Sequence, residues 1–311
     1  MKPAASVIAF TVASGAGYGL LFWLALLRPL GLVPQGAWFG GVAAVLALAL
    51  ITAGLLSSTT HLGRPERAWR AFSQWRSSWL SREGVAAVAT YVPAALFFLS
   101  IVAGWPVLAA VSGLLAAAGA AVTVWCTGMI YASLKPIKEW HHPLVTPGYM
   151  LFGAFTGAAL LAVLAGFWGM GGVPAAIAAV LGALGFALKR AYWRSVDATP
   201  PVATAESATG LGSIGQVRPL DPPHTETNYL LREMGFRIAR VHAARLRMIT
   251  LGGGFVAPAL LLALALPVGG WVGWLLLALA AVLAIAGMLV ERWLMFAQAT
   301  HTVTLYYRGN A

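Results

Sequence analysis

The sequence predicts an all-α polytopic membrane protein: a bundle of eight transmembrane helices with short external loops and one long cytoplasmic loop. Three observations carry this. Of 311 residues, 60% are hydrophobic and only 9% charged, where a soluble domain carries roughly 25% charged residues. The apolar residues fall into eight runs, each near the ~20 residues needed to cross the hydrocarbon core. The 20 Lys and Arg are distributed one-sidedly between the runs.

In chain order the predicted spans are 6–27, 38–60, 84–104, 107–131, 148–169, 172–192, 249–267 and 271–297, in one domain covering 1–311. Val7–Leu27 is too long for the apolar core of a cleavable signal and reads as the first span. Arg28-Pro29 ends it. Trp105-Pro106, the 169–174 stretch GMGGVP and Pro267-Val-Gly-Gly predict tight connections. The spans are rich in Ala and Gly, which suits close helix packing in lipid.

Charge fixes the expected sidedness. Of the 20 Lys and Arg, only Arg28 falls at the opposite end of a span; the other nineteen lie in the N-terminus, the even-numbered loops and the C-terminal part. An excess of Lys and Arg marks the cytoplasmic side, so both termini are expected in the cytoplasm. The net charge of +11 is thereby a property of membrane topology, and nucleic acid is not an expected partner. A lone Cys126 excludes both an intrachain disulfide and four-cysteine iron–sulfur ligation.

Two non-membrane stretches stand out. From 195 to 247 runs a cytoplasmic arm, rich at first in Pro, Gly, Ser and Thr. It is followed by a basic stretch with Leu230, Met234, Ile238, Val241 and Leu246 on one helical face. This arm reads either as a linker with a helix on anionic lipid or as a segment ordered by a partner subunit. The other stretch is His61–Glu83, HLGRPERAWRAFSQWRSSWLSRE, between spans two and three. His61 ends span two and can exchange a proton near neutral pH. Glu83 begins span three, and an ionisable group at that depth is a functional candidate. Gly63 permits a tight turn. Arg64 and Arg67 can keep Glu83 ionised or polarise a carbonyl. These groups suit the head of a quinone. Read otherwise, Trp69, Trp75 and Trp79 form a headgroup belt and the arginines face anionic lipid; residue chemistry alone leaves both readings open.

Other polar groups are weaker candidates. Adjacent His141 and His142 lack a third metal ligand. Tyr131 can border a pocket. Glu291-Arg292 reads as an interfacial structural pair. No histidines are placed for a bis-histidyl haem, and no phosphate loop, nucleophile elbow or zinc pattern occurs. Any redox path therefore needs partners that carry it.

The segment His61-Leu-Gly-Arg-Pro-Glu-Arg-Ala-Trp, followed by Ser77-Ser-Trp-Leu-Ser-Arg-Glu83, resembles the membrane-anchor subunit of dimethyl-sulfoxide-reductase-type molybdoenzymes. The eight-span layout extends the resemblance over nearly the whole chain. It implies a non-covalently bound quinone, ubiquinone or menaquinone, at His61, Gly63, Arg67 and Glu83, to which residue chemistry adds Arg64, with no haem and no metal in this chain. It also implies an iron–sulfur subunit docked on this face and a catalytic subunit carrying the molybdenum cofactor. The cytoplasmic sidedness and the long arm are similar to the anchor of the cytoplasmic sulfite-oxidising enzymes of this type. The expected function is therefore the quinone-reducing anchor of a sulfite:quinone oxidoreductase in a bacterial inner membrane. The alternative is a quinol-oxidising anchor of a dimethyl sulfoxide or polysulfide reductase.

Overall fold

A computed structural model describes residues 3–60, 62–218, 220–221 and 238–302. His61, Leu230 and Met234 lie outside the described residues. The elements are α1 (Ala5–Leu27), α2 (Ala37–Thr59), a 3-10 segment (Pro65–Gln74), α3 (Trp79–Ala103), α4 (Pro106–Ala132), α5 (Val145–Gly166), α6 (Gly172–Ala198) and a single helical turn α7 (Ala205–Thr209). Then follow α8 (Ile238–Ile249), a π-helical stretch (Thr250–Val256) leading into α9 (Ala257–Val268), and α10 (Gly270–Ala297). No strand occurs among the described residues. Eight helices are long and apolar enough to cross a membrane: α1 to α6, a continuous His242–Val268, and α10.

The spans match the apolar runs in number and order, but several helices outrun them. Helix α3 starts at Trp79 and α6 continues to Ala198. Apolarity marks the part of a helix that meets hydrocarbon, whereas backbone hydrogen bonding carries the helix on into charged and aromatic sequence. Ser78 caps α3, its hydroxyl accepting from the Ser81 N–H. Glu83 is therefore inside the second turn of α3 rather than at its start.

Two helices are central. In α1 and α5, 67% of the membrane-length window is buried inside the bundle, against 33–44% in the other six. Glycines make this pairing possible. Gly15 and Gly19 of α1 face Gly153 and Gly157 of α5 so closely that a Cβ on Gly157 would overlap the Gly19–Leu20 backbone, and one on Gly19 would overlap the Gly153 carbonyl. Small residues let helix backbones approach in lipid, where packing replaces the hydrophobic drive. Trp23 reinforces the contact by donating from Nε1 to the Ala154 carbonyl at 2.9 Å.

Gly157→Val is expected to separate the central helices. Overpacking costs about 1–3 kcal/mol when side chains can shift; here backbone opposes backbone. Size-exclusion chromatography of the solubilised protein should show little folded Gly157→Val, whereas Gly252→Ala, with nothing within 4 Å of its added methyl, should behave as wild type.

The two ends of the bundle differ. At one end the turns are short, and Arg28 is consumed in holding one of them, donating to the carbonyls of Pro34 at 3.0 Å and Gln35 at 2.5 Å. The other end holds the long connections, the basic residues and the candidate site. There Trp140 donates from Nε1 to the Met295 carbonyl at 3.0 Å, and Tyr192 donates to the Glu139 carbonyl at 2.7 Å. These bonds pin the α4–α5 connection against α6 and α10.

Candidate functional site

The connection between α2 and α3 folds back over the ends of those helices, and the first turns of α3 hold it. The Ser81 hydroxyl donates to the Ala71 carbonyl. Arg82 donates from Nε to the Trp75 carbonyl at 3.0 Å and from Nη2 to the Arg76 carbonyl at 2.7 Å. The Arg82 guanidinium also lies 4.3 Å from the centre of the Trp79 ring. Phe72 packs against Gly84, where a Cβ would meet its ring at 3.0 Å. Arginine and tryptophan in this stretch thus brace the loop as well as facing the interface: Arg70 and Arg76 lie over Trp69 and Trp75 at 5.7 and 5.4 Å.

Beneath this loop is a cleft of about 580 Å³, within the range of small-molecule sites. Gly63, Arg64, Arg67 and Glu83 all line it. The loop also contributes Leu62, next in chain to His61, which itself lies outside the described residues. The walls are apolar, with Phe10 of α1, Leu55 and Leu56 of α2, Leu80 and Val88 of α3, and Ile130 of α4. Tyr131 borders the cleft as well. Its ring is stacked on Tyr149, with centroids 5.5 Å apart, and meets Trp140 and Phe296 edge-on. That wall is therefore rigid.

The polar groups are unevenly placed. Arg64 and Arg67 are exposed, whereas Glu83 is only 4% exposed. Neither arginine forms an ion pair with Glu83 among the described residues. Arg64 is instead 3.9 Å from Glu66, with both side chains largely in solvent. Glu83 is engaged from the other side, its Oε1 bonded by the hydroxyl of Thr127 on α4. The cleft thus has a cationic rim, an apolar body and a buried carboxyl, so a flat apolar molecule with hydrogen-bonding oxygens can bury its body and still reach polar partners.

Sequence reasoning paired Glu291 with Arg292 but missed their burial and their partner Lys189. Lys189 of α6 and Glu291 and Arg292 of α10 are 4%, 0% and 5% exposed. Lys189 Nζ is ion-paired to Glu291 Oε1, and Arg292 Nη1 lies 3.0 Å from Glu291 Oε2. Lys189 also stands 4.2 Å from the Tyr192 ring centre, and Arg292 stands 3.6 Å from that of Tyr149. Glu291-Arg292 is therefore an interior charge cluster, not an interfacial pair, and Lys189 does not belong to the solvent-facing basic loops. A weak signal was present: Lys189 and Glu291 each lie inside an otherwise apolar run before the helix end, beside a single arginine. His141 and His142 are engaged separately, with the Ala132 carbonyl at 2.6 Å and the Ser195 hydroxyl at 3.0 Å. Burial, and secondarily the charge on Lys189, lowers the basicity of His142.

Eight membrane-crossing helices, a basic end and an amphipathic cleft at that end define an integral membrane subunit equipped to meet both lipid-soluble and water-soluble partners. The chain belongs to the DMSO reductase anchor subunit (DmsC) family, whose model it matches over residues 1–307. It is thus the membrane anchor of an oxidoreductase complex, a role that implies a molybdenum catalytic subunit and an iron–sulfur subunit as partners. It is 33% identical to a sulfite dehydrogenase subunit of Allochromatium vinosum, over the full length of both chains.

Proposed function

We propose that this chain is the quinone-reducing anchor of a molybdenum and iron–sulfur sulfite:quinone oxidoreductase. The cleft carries this reading: Gly63, Arg64, Arg67 and Glu83 converge on one space whose walls are otherwise apolar. The likeness to the sulfite dehydrogenase subunit supports sulfite as the electron source. Sulfite oxidation to sulfate releases two electrons and two protons, and quinone takes up two of each to become quinol.

The residues fit a quinone. The apolar walls accept its ring and isoprenoid tail, and Gly63 lets the loop approach without a side chain. Arg64 and Arg67 favour build-up of negative charge on a ring oxygen by electrostatic stabilisation. Glu83 holds a proton at the buried end, and His61 is the proposed donor to the other oxygen. The one-sided Lys and Arg support placing this face, both termini and the iron–sulfur subunit in the cytoplasm of a bacterial inner membrane, with the 195–247 arm on the same side.

A complex purified through this chain is expected to contain molybdenum and iron and to reduce a short-chain quinone when given sulfite. A complex inactive with sulfite that oxidises quinol with dimethyl sulfoxide or polysulfide would instead establish the reverse direction.

A further inference from the structure

The proposed site has a difficulty that the structure itself answers. When the cleft is filled, Glu83 loses contact with water on that side. Its hydrogen-bond partner among the described residues is Thr127, whose hydroxyl faces two acceptors: Glu83 Oε1 and, at 3.0 Å, the Thr123 carbonyl. A hydroxyl has one proton to donate and lone pairs to accept with. With Glu83 ionised, Thr127 donates to it. With Glu83 protonated, the carboxyl donates to Thr127, which turns its own proton to Thr123. Thr127 thus serves both states of Glu83.

Behind Thr127 lies a small, partly open cavity of about 20 Å³, enough for one water. Thr127 lines it on one side and Arg292 on another, together with Tyr149 and the hydroxyl-bearing Thr11, Ser14 and Thr156. Arg292 leads directly to Glu291, and Glu291 to Lys189. Near the far side of that cluster, His142 and Ser195 meet at the end of the bundle. Thr127 and Arg292 therefore face one small cavity, and Arg292 ties its far wall to the ion cluster between α6 and α10.

We propose that Thr127 and the water-sized cavity behind it are the route by which Glu83 exchanges its proton while quinone fills the cleft, with water in that cavity as the exchanging partner of Thr127. The proposal rests on the quinone reading of the cleft. Two electrons come from the iron–sulfur partner. As they arrive, the Glu83 O–H bond breaks and an O–H bond forms at one ring oxygen. The carboxylate regains a proton from Thr127, which is resupplied from the cavity. The second ring oxygen receives its proton from His61, the donor already proposed for it. Arg292 keeps its protons throughout, because a guanidinium does not deprotonate in proteins; it orients the cavity water and is not a donor. Thr127 is a positioning and relay residue and does not contact quinone.

The test uses the purified complex with a tight quinone-analogue inhibitor in the cleft. Hydrogen–deuterium exchange at the Glu83 carboxyl is followed by its infrared C=O stretch, at a pH where the carboxyl is protonated, and the band is assigned with Glu83→Gln. In the wild type, exchange should stay fast with the inhibitor bound. Thr127→Val, nearly the same size, should slow it by roughly a hundredfold, the lower end of what a positioned proton-transfer group contributes. Thr127→Ser should restore it. Ala16→Val narrows the cavity from α1 with Thr127 intact and should also slow exchange. Unchanged fast exchange in inhibitor-bound Thr127→Val, or in Ala16→Val should Thr127→Val fail to assemble, overturns the route while leaving the quinone site standing. If the inhibitor does not bind the wild-type complex, the quinone reading falls and this proposal with it.

Discussion

Glu83→Gln should abolish quinone-linked turnover while leaving the complex assembled. The substitution keeps the shape of the side chain, and the amide oxygen still accepts from Thr127, which bonds Glu83 in the native protein. What it removes is the ability to hold and release a proton at the buried end of the cleft. General acid–base groups contribute about 10²–10⁴-fold to rate, so sulfite-driven quinone reduction should fall by at least about two orders of magnitude, or ~2.7 kcal/mol of barrier. Sulfite oxidation coupled to a soluble artificial acceptor should persist, since that reaction takes electrons before they reach this chain. An anchor with no quinone role would show normal quinone reduction in the same variant.

Glu291→Ala should be the most destabilising single change in the ion cluster. The carboxylate is fully buried and lies between Lys189 and Arg292. Removing it leaves two cations facing one another in a low-dielectric interior, and breaking a buried pair this way costs about 3–5 kcal/mol. Facing aromatic rings offset only part of that: Tyr149 and Phe152 lie 3.6 and 5.5 Å from the Arg292 guanidinium, and Tyr192 and Trp193 lie 4.2 and 4.9 Å from Lys189 Nζ. Lys189→Met is the informative contrast. It removes one cation and leaves Glu291 neutralised by Arg292, so it should cost less. Thermal unfolding of the solubilised complex should therefore rank wild type above Lys189→Met, and Lys189→Met above Glu291→Ala. The opposite order of the two variants would mean that the cluster is not held together by its shared carboxylate.

The contrast between these two sites shows what a single sequence carries. The spans were legible because each is a predominantly apolar run of membrane length, and the His61–Glu83 stretch because it separates two of them with arginines and tryptophans. That Gly63, Arg64, Arg67 and Glu83 share a space also followed from the sequence, since α2 and α3 are chain neighbours and their connection must lie over their ends. The partner of Glu83 was not legible. Thr127 is 44 positions away on α4, and one threonine among many small residues gives no sign of what it faces. Lys189 and Glu291 are 102 positions apart, so their pairing depends on how α6 and α10 pack. By residue type alone, Lys189 looks like its neighbour Arg190. Helix rotation separates them, turning Lys189 inward and leaving Arg190 exposed. The Gly19–Gly157 contact was legible in kind, as glycine-rich spans, but not in its pairing.

Photolabelling tests the central claim most directly. The complex would be illuminated with an azido-quinone, digested, and the labelled peptides identified by mass spectrometry. The account predicts label on this chain within residues 59–72 or 80–88, competed away by excess unmodified quinone. Label confined to other subunits, or to this chain only at the surface of α9 and α10, would contradict it.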